Sequence, residues 1–116
     1  MNLNSQIQSC IQLCWKCRHE CQETLYQYCL EKGEEHVEQA HVKLMTDCIQ
    51  ACQTAADFMT RGSALHAHEC AACAEICEAC AESCEAMEDE RMKRCAVICR
   101  ECAQSCREMG MLRKAA

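Results

Sequence analysis

Cysteine is the residue in this chain whose chemistry and spacing both stand out. There are 16 in 116 residues. Cys10, Cys14, Cys17 and Cys21 follow the pattern CxxxCxxCxxxC. The pattern returns in Cys73, Cys77, Cys80 and Cys84, preceded by Cys70, and again in Cys95, Cys99, Cys102 and Cys106. Cys48 and Cys52 add one more CxxxC pair, and Cys29 stands apart. A catalytic thiol needs its own base and an electropositive setting. No single cysteine here is set off from the rest in that way. A crowd of regularly spaced thiols in a reducing compartment points instead to metal.

The spacing also says what carries these residues. Steps of four, three and four are the inward seam of a helix in a bundle. The segment holding Cys48 and Cys52 obeys the same rhythm when read backwards, but His41 and Met45 fill the first two slots. Forwards it passes Ala55 and reaches Met59. The third seam runs from His66 to Met87 and the fourth from Met92 to Met109. The first continues past Cys21 to Thr24 and Tyr28, with Cys29 beside them.

Three short breaks separate the elements. Gly33 ends the first helix at a plausible C′ position, and Arg61-Gly62-Ser63 separates the second from the third, with Ser63 as a natural N-cap. A charged turn at Glu88-Asp89-Glu90 precedes the fourth. The expected helices span about 4–31, 35–60, 64–87 and 90–109. Short loops between four helices imply an all-α, antiparallel up-down-up-down four-helix bundle with a cysteine-lined core, occupying residues 1–116 as one domain. The absence of proline, the three glycines and the four aromatic residues (Trp15, Tyr26, Tyr28 and Phe58) agree with helices and argue against a sheet.

Buried free cysteine can act as a small hydrophobe. Thirteen on three seams, with almost no Leu, Ile or Phe between them, would bury too little apolar surface to fill a bundle. Metal ions can fill that space. Side chains four apart on a helix have Cβ atoms about 5–6 Å apart, and one ion between two sulfurs needs them roughly 4–5 Å apart. Each of the pairs 10/14, 17/21, 48/52, 73/77, 80/84, 95/99 and 102/106 can therefore grip an ion alone. Soft thiolate and thioether ligands suit Cu(I), with sulfurs shared along the CxxC steps. Zinc prefers tetrahedral sites, usually built from paired knuckles on loops, although neighbouring helices could assemble Cys₄ groups. The ferredoxin run CxxCxxCxxxCP is absent. Disulfides between seams are geometrically possible but are expected only after oxidation.

Other classes find little support. Net charge is −6, with acidic and basic residues interleaved. There is no basic stripe and no aromatic platform for nucleic acid. No stretch approaches the roughly 18 apolar residues of a membrane span. The first ten residues carry no basic region, twin arginine or apolar core of an export signal, so a cytoplasmic location is expected. Four functions remain to be separated: a multi-copper store, a zinc or general metal buffer, a thiol redox reservoir and a single-ion copper chaperone.

Repeated CxxxC pairs on the seams of four successive helices resemble the cytosolic branch of the four-helix-bundle copper storage proteins, over essentially the whole chain. The resemblance implies many Cu(I) ions inside each bundle, a homotetramer, and storage or detoxification as the role; no catalysis is expected, and copper donor or acceptor proteins are the expected partners. It implies that all sixteen cysteines are ligands: Cys10, Cys14, Cys17, Cys21, Cys29, Cys48, Cys52, Cys70, Cys73, Cys77, Cys80, Cys84, Cys95, Cys99, Cys102 and Cys106. The second helix departs from the pattern, with one CxxxC where the others have two, which bears on capacity.

The antiparallel arrangement gathers His41, Met45, Met87 and Met92 at one end, beside Cys29, Cys84 and Cys95. These neutral donors could pass Cu(I) inward, and that end is expected to be the mouth. His41 and Met45, which occupy cysteine slots, and Met87 and Met92 complete the expected metal ligands, although methionine there also serves as core filler. The other end should be an apolar plug of Leu3, Ile7, Met59 and Met109, with His66 nearby. His19, His36 and His68 fall off the seams and are expected on the surface. Trp15 and Tyr26 are expected at contacts between subunits or helices.

Overall fold

The computed structural model describes residues 3–112. Helix α1 runs from Leu3 to Thr24, passes through one π-helical turn at Leu25–Cys29 and ends with Leu30–Lys32. A 3₁₀ turn, Glu34–Val37, leads into α2, Gln39–Thr60. Helix α3 covers His66–Glu85 and α4 covers Glu90–Met111. Each helix packs on the next, and α4 closes the ring against α1. The molecule measures 46 × 22 × 20 Å, a long axis set by the 30-residue first helix at about 1.5 Å per residue. The all-α, antiparallel four-helix bundle read from the sequence is the fold observed.

The loops follow the local chemistry. Gly33 (φ +72°) and Gly62 (φ +67°) take the backbone region that side chains avoid. At the end of α2 the Gly62 N–H donates to the Met59 carbonyl at 3.1 Å, and the Ser63 N–H to the Phe58 carbonyl at 3.0 Å. These two bonds form a Schellman cap. Ser63 is not the N-cap expected of it. Its hydroxyl accepts from the Leu65 N–H at 3.1 Å, and the α-helix begins only at His66. The glycine-free third turn is set by Asp89, whose Oδ1 accepts from the Met92 N–H at 2.9 Å. Third-helix residues around Met87 lie beyond Glu85, where the helix stops.

The π turn corrects the expected seam of α1. One extra residue per turn shifts the register, so the inward position after Thr24 falls on Cys29 and not on Tyr28. Thr24 and Cys29 are fully buried, while Tyr28 is only half-buried. At the opposite end Met59 and Met109 are buried and Ile7 packs against the core. Leu3, expected in the same plug, is 52% exposed, because it sits on the first turn of α1 beyond the reach of its neighbours. Ala67, Ala74 and Ala81 are buried on α3, and Gly110 of α4 faces the Ala71 backbone. Small side chains let these two helices approach closely.

Candidate metal centre

All sixteen cysteines are buried and free. Their sulfurs line the axis of the bundle, as a 4-3-4 repeat on four facing helices requires. Contacts within one helix turn are as expected: Cys17–Cys21 at 4.0 Å, Cys73–Cys77 at 3.7 Å and Cys102–Cys106 at 4.0 Å. Contacts between helices are at least as close. Cys21 lies 3.5 Å from Cys99, Cys14 3.6 Å from Cys106 and Cys52 3.6 Å from Cys77. The spacing of a single helix could not reveal this. A site here is not confined to one CxxxC pair but can draw sulfurs from two or three helices.

Four groups of four sulfurs each lie within 4.8 Å of one another: Cys14/Cys73/Cys102/Cys106, Cys52/Cys73/Cys77/Cys102, Cys17/Cys48/Cys52/Cys77 and Cys17/Cys21/Cys48/Cys99. Taken in this order, each group shares two sulfurs with the next. The ladder extends to Cys10, 3.7 Å from Cys106, and toward the loops through Cys95, 3.8 Å from Cys21, and Cys80, 3.8 Å from Cys99. Sulfurs shared in this way are placed where they could bridge neighbouring ions.

Electrostatics discriminates among metals. The buried polar residues among those described are Thr24, His36 and His41, so no lysine or arginine is buried beside the thiols. A divalent ion on four thiolates would leave two uncompensated negative charges in a low-dielectric interior, which is costly. One monovalent ion per thiolate leaves none. Without metal, burial works against ionisation of the thiols. Burial pushes the Cys29 thiol up to about 12. Hydrogen bonding to Cys102, Cys21 and other thiols, together with burial, holds Cys17 far above its ordinary value.

Near the loops the donor set changes as the sequence indicated. Cys29 Sγ lies 3.7 Å from Met92 Sδ and 3.9 Å from His41 Nε2. Cys84, Met45 and Met87 are also buried, with Met45 one turn beyond His41 on α2 and Met87 just past the end of α3. Burial pulls the His41 pKa below its ordinary value, which keeps the ring neutral and able to bind a metal. His41 Nδ1 lies 2.7 Å from Ser83 Oγ. His66, by contrast, is only half-buried, and its Nδ1 has no hydrogen-bond partner among the described residues.

His36 is a correction. Expected on the surface, it is 4% exposed, and its Nε2 lies 2.6 Å from Asp89 Oδ2. The 3₁₀ turn folds it inward, where Tyr28 meets it edge-on with centroids 5.5 Å apart. The helical period of a seam says nothing about a residue on such a turn. Arg91 was also missed. Arg91 Nε donates to Thr24 Oγ1 at 3.3 Å. The Asp-Glu-Arg run at 89–91 could have signalled a helix start, but not this partner. His19 and His68 are exposed as expected. Trp15 and Tyr26 are 43% and 58% exposed.

No described helix is long and apolar enough to cross a membrane. Comparison with known proteins agrees with the site. No curated protein sequence gives a significant match. Among solved structures, a protein from Nitrosospira multiformis is 42% identical with a TM-score of 0.90, covering 94% of this chain and 98% of its own. The Cu(I)-bound copper storage protein BsCsp3 is 31% identical with a TM-score of 0.84, covering 90% and 98%. The metal-free copper storage protein 3 from Bacillus subtilis is 33% identical with a TM-score of 0.80, covering 89% and 97%. The family model described as copper storage protein matches residues 3–111. With its sulfur-lined axis, its soft donors near the loops and this match over nearly its full length, the chain belongs to the copper storage protein family.

Proposed function

We propose that this chain, as one domain, is a cytoplasmic Cu(I) store that holds many ions along the bundle axis and performs no catalysis. The sixteen thiols form the main ligand set, and His41, Met45, Met87 and Met92 serve the end where ions come and go. The overlap of the four-sulfur groups carries this reading. Separate zinc sites gain nothing from shared sulfurs, whereas a chain of Cu(I) ions bridged by thiolates uses every one of them. The neutral balance of one ion per thiolate supports it further. By family likeness the store is a homotetramer that exchanges copper with donor and acceptor proteins. Exposed Trp15, Tyr26 and Val97 are among the apolar side chains available for subunit contacts.

Titration of the reduced, metal-free protein with Cu(I) under anaerobic conditions tests the proposal. The expected result is on the order of one ion per thiol before copper reaches a competing chelator. Saturation at one or two ions would favour a chaperone. Zinc that survives an equimolar Cu(I) challenge would favour a general metal buffer.

A further inference from the structure

Ser83 takes no part in the cysteine repeat, yet it makes the short polar contact to His41. It lies on α3 between Cys80 and Cys84, and its hydroxyl is 2.7 Å from His41 Nδ1. The other ring nitrogen, Nε2, points to Cys29 Sγ at 3.9 Å, and that sulfur is 3.7 Å from Met92 Sδ. One edge of the imidazole is thus held by a hydroxyl from a neighbouring helix, and the other nitrogen meets a thiol that itself touches a thioether. A neutral imidazole carries one proton, so whichever nitrogen bears it cannot bind metal.

We propose that Ser83 is a positioning residue that keeps the His41 proton on Nδ1, so that Nε2 presents its lone pair beside Cys29 and Met92 as a Cu(I) ligand. The inference deepens the storage reading and rests on it. The step balances simply. Cu(I) arrives, the Cys29 thiol gives its proton to solvent, and sulfur and Nε2 take the ion. His41 stays neutral throughout, with its Nδ1–H donating to the Ser83 oxygen. Ser83 never touches the metal. Hydrogen-bond partners of metal-bound histidines act in this way, and their removal costs about 10–100-fold in affinity.

Cu(I) is closed-shell, so ¹⁵N NMR of the His41 ring can be read in the loaded, full-length protein. Native protein should show a protonated Nδ1 and a metal-shifted Nε2. Ser83→Ala should lose the single Nδ1–H tautomer in the metal-free protein, read by the same ¹⁵N NMR, and weaken the least tightly held copper by roughly 10-fold or more against a chelator, with the total number of ions almost unchanged. Ser83→Thr, which keeps the hydroxyl, should restore both signals. Identical NMR and chelator behaviour in Ser83→Ala would overturn the proposal. So would a native protein that binds many ions while Nε2 shows no metal shift, and the storage reading would then survive. Binding of only one or two ions would remove both.

Discussion

The sulfur of Cys21 on α1 lies 3.5 Å from that of Cys99 on α4, closer than the 4.0 Å that separates Cys17 from Cys21 along α1 itself. A thiol in this tube has its nearest partner across the bundle as readily as along its own helix. Removing one cysteine therefore disturbs more than its own CxxxC pair. Cys21→Ala should lower Cu(I) capacity by more than one ion, and adding Cys99→Ala should cost less than a second independent loss. Anaerobic titration of the single and double variants measures this non-additivity. Equal, independent losses would mean that the pairs work separately.

Proton balance offers a second check. Burial holds the Cys29 thiol protonated up to about 12, against an ordinary value of 9.0. A thiol must lose its proton to bind Cu(I), so loading should release about one proton per thiolate formed, and apparent affinity should fall as pH falls. A pH-stat titration reads the release directly. The same shift bears on metal-free stability with the opposite slope. A group whose folded pKa is raised favours the fold below its unfolded value and withdraws that contribution as pH rises through its folded value. Metal-free protein should therefore lose thermal stability between about pH 9 and 12, while copper-loaded protein, with no thiol proton left to lose, should be far less sensitive.

His36 and Asp89 link the first connection to the start of α4. Burial opposes ionisation of Asp89, but the Met92 N–H and His36 outweigh it and hold the carboxyl below its ordinary 3.8. The contribution is present above that value and is lost as pH falls through the lower folded one. Asp89→Ala should destabilise the metal-free protein by about 1–3 kcal/mol, because it removes a helix cap and strands a buried imidazole. Asp89→Asn, which can still cap, should cost less. Chemical denaturation at pH 7 ranks the two, and equal losses would show that the cap contributes nothing.

Gly110 tests the close approach of α3 and α4. A Cβ built there would lie 3.0 Å from the Ala71 Cα and amide nitrogen, which are backbone and cannot swing aside. Alanine gains about 1 kcal/mol of helix propensity at an interior position, but less near a fraying helix end. Overpacking costs about 1–3 kcal/mol. The packing penalty should win, so Gly110→Ala should lower the denaturation midpoint while leaving Cu(I) capacity intact. A raised midpoint would mean that the helices part without cost.

The seam was legible because a 4-3-4 rhythm admits one reading. Only a helix brings such residues to a single face, and only burial of that face explains thirteen cysteines where leucines would stand. His41 and Met45 were legible for the same reason, since they occupy slots in a repeat that the neighbouring segments define. Cys29 was harder to place. The π turn that rotates it inward comes from local backbone adjustment that a fixed period of 3.6 cannot represent.

Sequence by itself determined that four helices would turn sulfur toward a common axis, because periodicity and the scarcity of other apolar residues are properties of the linear chain. Tertiary structure alone decided which sulfurs meet, since a distance such as that from Cys21 to Cys99 depends on the relative rotation and height of two helices. It also decided the polar contacts that flank the thiols. Ser83 reaches His41, and His36 reaches Asp89, across separations of 42 and 53 residues that no local pattern encodes.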